Sequence, residues 1–196
     1  MVFDLTTTGV ARVSMTGYVE DMLRESGTTG GARTPATASL FDVRDDSDMT
    51  TEEQRVKLHR LVVKMLYLAK RARPDCLTAV ANLATRVTRC SVDDLAKLER
   101  LLKYVNETKD GAAVFEAGTK GIVVSVLIDA AYGVYPDGRS HTGSCVVVGM
   151  RGAVYSKSAK QQIVTKSSTE AELVALSDST NQALHLDRGM RAMEIS

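Results

Sequence analysis

Apolar residues recur along this chain with two different periods, and the change of period divides it. Between residues 50 and 110 the spacing is helical. Val56, Leu58, Leu61, Val62, Met65, Leu66 and Leu68 make one apolar stripe, and Leu95, Leu98, Leu101, Leu102 and Val105 make another. Thr50-Thr51-Glu52-Glu53 reads as a capping box that opens the first helix. Arg73-Pro74 closes it, because the residue before a proline avoids helical angles. Pro74 then suits the first position of a second helix running to about Arg89. Ser91 with Asp94 opens a third. Beyond Gly121 the pattern becomes extended. Residues 122–128 are apolar in succession, as in a strand covered on both faces. Residues 144–150 and 153–158 read as two further strands joined by a tight turn at Arg151-Gly152. Ser167 then opens a long helical pattern.

The remaining segments are less periodic. Residues 11–15 read as a strand and residues 17–23 as a short helix. Residues 26–48, rich in Gly, Thr, Ser and Ala around Pro35, read as a loop or flexible linker. The resulting division is residues 1–49, a three-helix unit at 50–110 expected to dock on the sheet, and a strand-and-helix unit at 111–196.

Charge sharpens this division. Residues 1–50 carry a net of −4, residues 51–110 a net of +5, and residues 111–196 balance. A basic middle segment suits a nucleic-acid track and equally a solvated helical surface. Cys76, Cys90 and Cys145 are odd in number and lack metal-type spacing, which points to reduced thiols. No apolar run approaches the roughly twenty residues of a membrane helix, and the N-terminus has no signal-peptide pattern. The expectation is an intracellular protein, cytoplasmic or nuclear, with no membrane partner.

Candidate chemistry lies where the strand-like run ends on Asp129. On a helix starting at Ser167, Glu172, Leu176, Ser179 and Ala183 fall in one narrow arc, with Leu173, Thr180 and Leu184 beside it. Glu172 is therefore expected at the edge of the packing face, able to converge on Asp129. Glu170 is expected in solvent, and Asp178 roughly opposite. The same residues have a plainer reading. Thr169-x-x-Glu172 and Ser167-x-x-Glu170 both fit capping boxes, and an aspartate closing a strand is a common turn residue. Asp137, in Tyr135-Pro136-Asp137-Gly138, reads as a turn residue, and His141 and His185 as structural or exposed.

Four ordered motifs carry a resemblance. Asp129-Ala130-Ala131-Tyr132-Gly133, Gly138-Arg139-Ser140-His141-Thr142-Gly143, Tyr155-Ser156-Lys157-Ser158-Ala159-Lys160-Gln161-Gln162, and residues 167–176 are similar in order and spacing to the ribonuclease H domain of copia-type retrotransposon polyproteins. Upstream, Leu66-Tyr67-Leu68-Ala69-Lys70, Arg73-Pro74-Asp75 and residues 98–110 resemble the thumb and connection after that family's reverse transcriptase. The resemblance implies a mixed α/β (α+β) chain. A helical connection unit would precede an incomplete ribonuclease H-like fold of three antiparallel strands and a long helix. It carries the first catalytic, metal-binding aspartate onto Asp129 and the helix glutamate onto Glu172, around two Mg2+ or Mn2+ ions. The implied partner is an RNA–DNA hybrid whose RNA strand is hydrolysed, with Arg139, Lys157, Lys160 and Lys166 as candidate contacts to it.

Ala131 stands where the family has a second aspartate, and Tyr132 and Tyr155 where it has tryptophans. The family's next catalytic aspartate follows a strand that this sequence does not reach. The expectation is a polyprotein fragment with half a site, inactive by itself and prone to self-associate through the free edge of the 122–128 strand. The alternative is a non-catalytic nucleic-acid-binding or inert remnant of a decayed element.

Overall fold

A computed structural model describes residues 1–118 and 123–193. Ile122, where the first strand of the sheet was expected to start, lies outside them. The chain divides into two compact units, one of Met1–Val2 with Val13–Ala112, the other of Phe3–Arg12 with Ala113 onward.

The first unit is helical: α1 (Thr16–Ser26), α2 (Glu52–Ala69), α3 (Leu77–Ala84, led in by a 3-10 turn at Pro74–Cys76) and α4 (Val92–Glu107). No strand forms between Glu52 and Tyr104; Ser91 makes only an isolated bridge with Met49. The apolar stripes of α2 and α4 meet in one core in which Leu58, Met65, Leu83, Leu101 and Val105 are fully buried. Val56 is instead 56% exposed. The first cap sits one residue later than the sequence suggests. Thr51 is the N-cap, its hydroxyl accepting from Gln54 N at 3.2 Å while Gln54 Oε1 accepts from Thr51 N at 2.9 Å. At α4, Asp94 Oδ2 accepts from Ser91 N at 3.0 Å, as the spacing requires.

Two expectations fail here. α3 stops at Ala84 and not near Arg89. The Thr85 hydroxyl donates to Asn82 O at 2.7 Å, a local bond that competes with continued helix. Residues 26–48 form the expected loop but are not a flexible linker. Leu40 is buried in the helical core, Arg44 pairs with Asp93 at 2.5 Å, and Asn106 Nδ2 donates to Gly30 O at 2.9 Å. The loop is thereby laid along α4.

The second unit contains two three-stranded sheets. The first, in the order β1 (Val2–Asp4), β2 (Val10–Ser14), β3 (Ala112–Glu116), was foreseen only at β2. The other is antiparallel: β4 (Val124–Ala131), β5 (His141–Val148), β6 (Ala153–Lys160). The β5–β6 turn needs Gly149 and Gly152, at φ +84° and +95°. A Cβ on Gly152 would lie 2.4 Å from Val114 O, because Glu116 pairs with Arg151 across this turn.

The 25-residue α5 (Ser168–Ala192) packs on one face of the β4–β5–β6 sheet. Its buried residues are Ala171, Ala175 and Ser179. The packing face is thus turned by about 60° from the leucine-bearing arc that the sequence suggests. Small side chains allow the helix backbone to approach the sheet, and Leu173, Leu176 and Leu184 stay 45–60% exposed. β4 is covered on one face only. Val124, Val126 and Ile128 are half-buried, while Ser125, Leu127 and Asp129 between them are exposed. A run of apolar residues does not by itself distinguish a strand covered twice from one covered once.

Candidate metal and nucleic-acid site

The register of the sheet gathers most of the candidate residues at one end. Asp129 lies opposite Gly143, which lies opposite Ser158; one step on, His141 lies between Ala131 and Lys160. Alternation along each strand places Asp129, Ser158 and Lys160 on the face away from α5. Gly143 leaves open space between Asp129 and Ser158, since a Cβ there would meet only Asp129 O at 3.9 Å.

Glu172 reaches the same end from the helix. Its Oε1 accepts from Ala130 N at 3.2 Å, at the residue directly after Asp129. Glu172 thus occupies a backbone donor of β4, which among the described residues pairs with β5 alone. The helix thus brings its carboxylate to the strand end from one side, while strand alternation turns the Asp129 side chain to the opposite face. Glu170 is not in solvent as expected. It is half-buried, and its Oε2 accepts from Lys166 N at 2.6 Å while its own N–H donates to Ser167 Oγ at 3.1 Å. Of the two capping boxes in the sequence, the one on Ser167 forms by half: Ser167 caps Glu170 N, while the Glu170 carboxylate reaches past the cap to Lys166 N. Asp178 does not point away from the sheet either, because it receives Lys157 of β6 at 3.2 Å.

Three of the four candidate cations are already paired. Lys157 holds Asp178, Lys160 Nζ lies 2.6 Å from Asp137 Oδ2, and Arg139 Nε lies 3.7 Å from the same oxygen. Lys166 is exposed at the foot of α5 and forms no ion pair among the described residues. The hydrogen bond from Lys160 holds the Asp137 carboxyl below its usual range. Asp137 is thus more than a turn residue. Sequence reading missed this because its partner Lys160 is distant in the chain.

Beneath these charges runs a buried polar chain. Tyr135 Oη lies 2.8 Å from His141 Nδ1, and His141 Nε2 lies 2.6 Å from Ser158 Oγ. Burial pushes the imidazole pKa down to about 4, so at neutral pH the ring is uncharged and bridges the two hydroxyls. His141 is structural, as its lone position suggests. His185 is exposed on α5.

In the first unit, Arg73 of the basic middle segment is neither a solvated charge nor open to a nucleic acid. Arg73 is 4% exposed and clamps Asp75, with Nη2 to Oδ2 at 2.8 Å and Nε to Oδ1 at 3.0 Å. It also donates to Thr108 O at 2.8 Å and Thr108 Oγ1 at 2.6 Å, while Tyr104 Oη donates to Asp75 Oδ2 at 2.7 Å. Burial pushes the Asp75 carboxyl up, but Arg73 and Tyr104 together hold it below its usual range. Arg71 does not contact solvent alone, its guanidinium lying 3.7 Å from the centre of the Tyr67 ring.

Asp129 and Glu172 offer hard oxygen donors, the type that Mg2+ or Mn2+ takes. Among the described residues, no three His, Cys, Asp or Glu side chains gather in a way that could hold a metal ion. The donor set is therefore right in kind for a hard divalent cation but too small for a two-metal cage. No step of hydrolysis is derived from it. Among the described residues, no helix is long and apolar enough to cross a membrane.

Comparison with known proteins places the chain among mobile-element sequences. It is 26% identical over 156 residues to the truncated transposon Ty1-A Gag-Pol polyprotein of Saccharomyces cerevisiae, covering 75% of this chain and 13% of that polyprotein. It is 26% identical over 164 residues to the transposon Ty1-H Gag-Pol polyprotein of the same organism, covering 78% of this chain and 9% of the polyprotein. The homologues of this chain are thus retrotransposon polyproteins, of whose length it spans only a small part. No family model and no solved structure matches it.

Proposed function

We propose that this chain is the segment of a copia-type retrotransposon polyprotein that runs from the end of the reverse transcriptase, through its thumb and connection, into the ribonuclease H domain. The second unit serves hydrolysis of the RNA strand of RNA–DNA hybrids. Asp129 and Glu172 are two of the carboxylates that hold divalent metal there. The observation that carries this reading is the Glu172 carboxylate on Ala130 N–H, which brings the helix acid to the strand end that bears Asp129. The cations at the same end, Arg139, Lys160 and Lys166, have the sign a phosphate backbone requires. When bound, the metal would activate water and support the leaving oxygen. This chain's own part is to hold the ion and to seat the hybrid.

The test is binding and cleavage of a labelled RNA–DNA hybrid by the 196-residue chain. Binding is expected to weaken with salt, with a log–log slope of roughly one per phosphate contact. No magnesium-dependent cleavage is expected, because two carboxylates carry too little charge to hold two divalent ions close together. Asp129→Asn should leave this result unchanged. Salt-insensitive or absent binding would overturn the hybrid reading in favour of an inert remnant. Cleavage abolished by Asp129→Asn would show that another acid completes the site.

We further propose that the free edge of β4 pairs with β4 of a second copy of this chain. Val124 to Ile128 contains no charge and no proline, the usual defences of an exposed edge, and Leu127 is 62% exposed. Antiparallel self-pairing about Val126 would keep the two Asp129 carboxylates at opposite ends of the ladder. Sedimentation velocity should show a concentration-dependent dimer. Leu127→Lys should return it to monomer without loss of helix content. A wild-type chain that stays monomeric at high concentration would sink the idea.

A further inference from the structure

The Asp137 carboxylate is surrounded by donors. Lys160 Nζ lies at 2.6 Å, Arg139 Nε at 3.7 Å, and Arg139 N donates to Oδ1 at 3.4 Å. Two side-chain cations and a backbone N–H converging on one carboxylate form an anion-binding site, filled here by the chain's own side chain. Its floor is fixed. Lys160 Nζ stands 4.6 Å above the Tyr135 ring, and Tyr135 is held through its hydroxyl by His141, which Ser158 holds in turn. The arm that carries Asp137 is a short turn, closed by Gly138 N to Tyr135 O at 2.8 Å and by Tyr135 N to Arg139 O at 3.1 Å. Asp137 itself is 47% exposed in its side chain, so the carboxylate stoppers the site from the solvent side.

We propose that Asp137 is an internal phosphate mimic that gates the nucleic-acid track. A backbone phosphate of a bound hybrid takes the place of the Asp137 carboxylate on Lys160 and Arg139, and the Tyr135–Arg139 turn swings the carboxylate out to solvent. The exchange replaces one anion by another on the same donors, so the floor need not move. It also means that each binding event first breaks a 2.6 Å ion pair, which lowers affinity for a duplex that supplies only weak phosphate contacts. This inference rests on the hybrid-binding reading above.

The experiment compares hybrid binding by the wild-type chain, Asp137→Asn and Asp137→Ser across a salt series. Both substitutions lie on an exposed turn, and thermal melts check that each variant is folded. Tighter binding is expected in both, with a log–log salt slope steeper by about one, because in the wild type the displaced Asp137 carboxylate takes up a counterion as the phosphate replaces it and in the variants nothing does. Adding Lys160→Gln to Asp137→Asn should remove most of that increment. Wild-type binding with an unchanged or weaker Asp137→Asn overturns the gate alone. Absence of binding by wild type and variants alike overturns the hybrid reading and the gate with it.

Discussion

Arg73→Ala is expected to lower the stability of the helical unit by about 1.5–3 kcal/mol, the range for losing hydrogen bonds to a charged group. The side chain is 5% exposed and makes four hydrogen bonds of 3.0 Å or less, two to Asp75 and two to Thr108. Its loss takes the guanidinium from the partly exposed Asp75 carboxylate, which keeps the Tyr104 hydroxyl, and frees the Thr108 carbonyl just past α4. Arg73→Lys should recover only part of the loss, since an ammonium cannot reproduce the planar fork on Asp75 and reach Thr108 together. Gly111 belongs to the same arrangement. A Cβ there would lie 2.9 Å from Arg73 Nη1, so the chain is bare where the guanidinium passes. Denaturant unfolding followed by far-ultraviolet circular dichroism measures the effect. A loss under about 1 kcal/mol would mean that Arg73 behaves as a surface cation.

The second unit should weaken in acid through His141. Its pKa is pushed down to about 4 by burial, against an ordinary value of 6.5. Above pH 6.5 both folded and unfolded chains carry a neutral ring, and the full stability is present. As pH falls toward 4 the unfolded chain takes up a proton that the folded chain refuses. Stability is lost there at up to about 1.4 kcal/mol per pH unit, or roughly 3 kcal/mol in all. The ring is hydrogen-bonded to the Tyr135 and Ser158 hydroxyls. Lys160 Nζ stands 4.6 Å from the centre of the Tyr135 ring. Hydrogen exchange of β5 amides between pH 7 and pH 4 reads the effect. In His141→Gln the slope should flatten; equal slopes in the two proteins would remove His141 as the cause.

Local structure was legible in the sequence where a residue's role depends on its immediate neighbours. The Ser91 cap was legible because its partner Asp94 is three residues away. Glu170 and Glu172 were harder. Both fit the same local pattern, and only the bond from Lys166 N shows that Glu170 is spent at the start of α5. Asp137 and Lys160 each looked ordinary alone. Their pairing spans the β5–β6 hairpin, and no short-range rule predicts it. The burial of Arg73 was not legible either, since arginine is mostly exposed and the cluster that holds it includes Thr108, thirty-five positions away.

By itself the sequence determined the helices of residues 50–110, the strand–turn–strand of the hairpin and the long final helix. Each of these is encoded in periodicity and capping over a few residues, where backbone hydrogen bonding dominates. The tertiary structure alone decided which side of α5 packs, that β4 is covered on one face, that a second sheet forms from β1, β2 and β3, and which charges are already neutralised. The physical reason is the same in each case. Packing selects the face whose side chains let two backbones approach, here Ala171, Ala175 and Ser179 ahead of three leucines. A charge is solvated or paired according to what the fold brings beside it, and neither outcome is written in the residue itself.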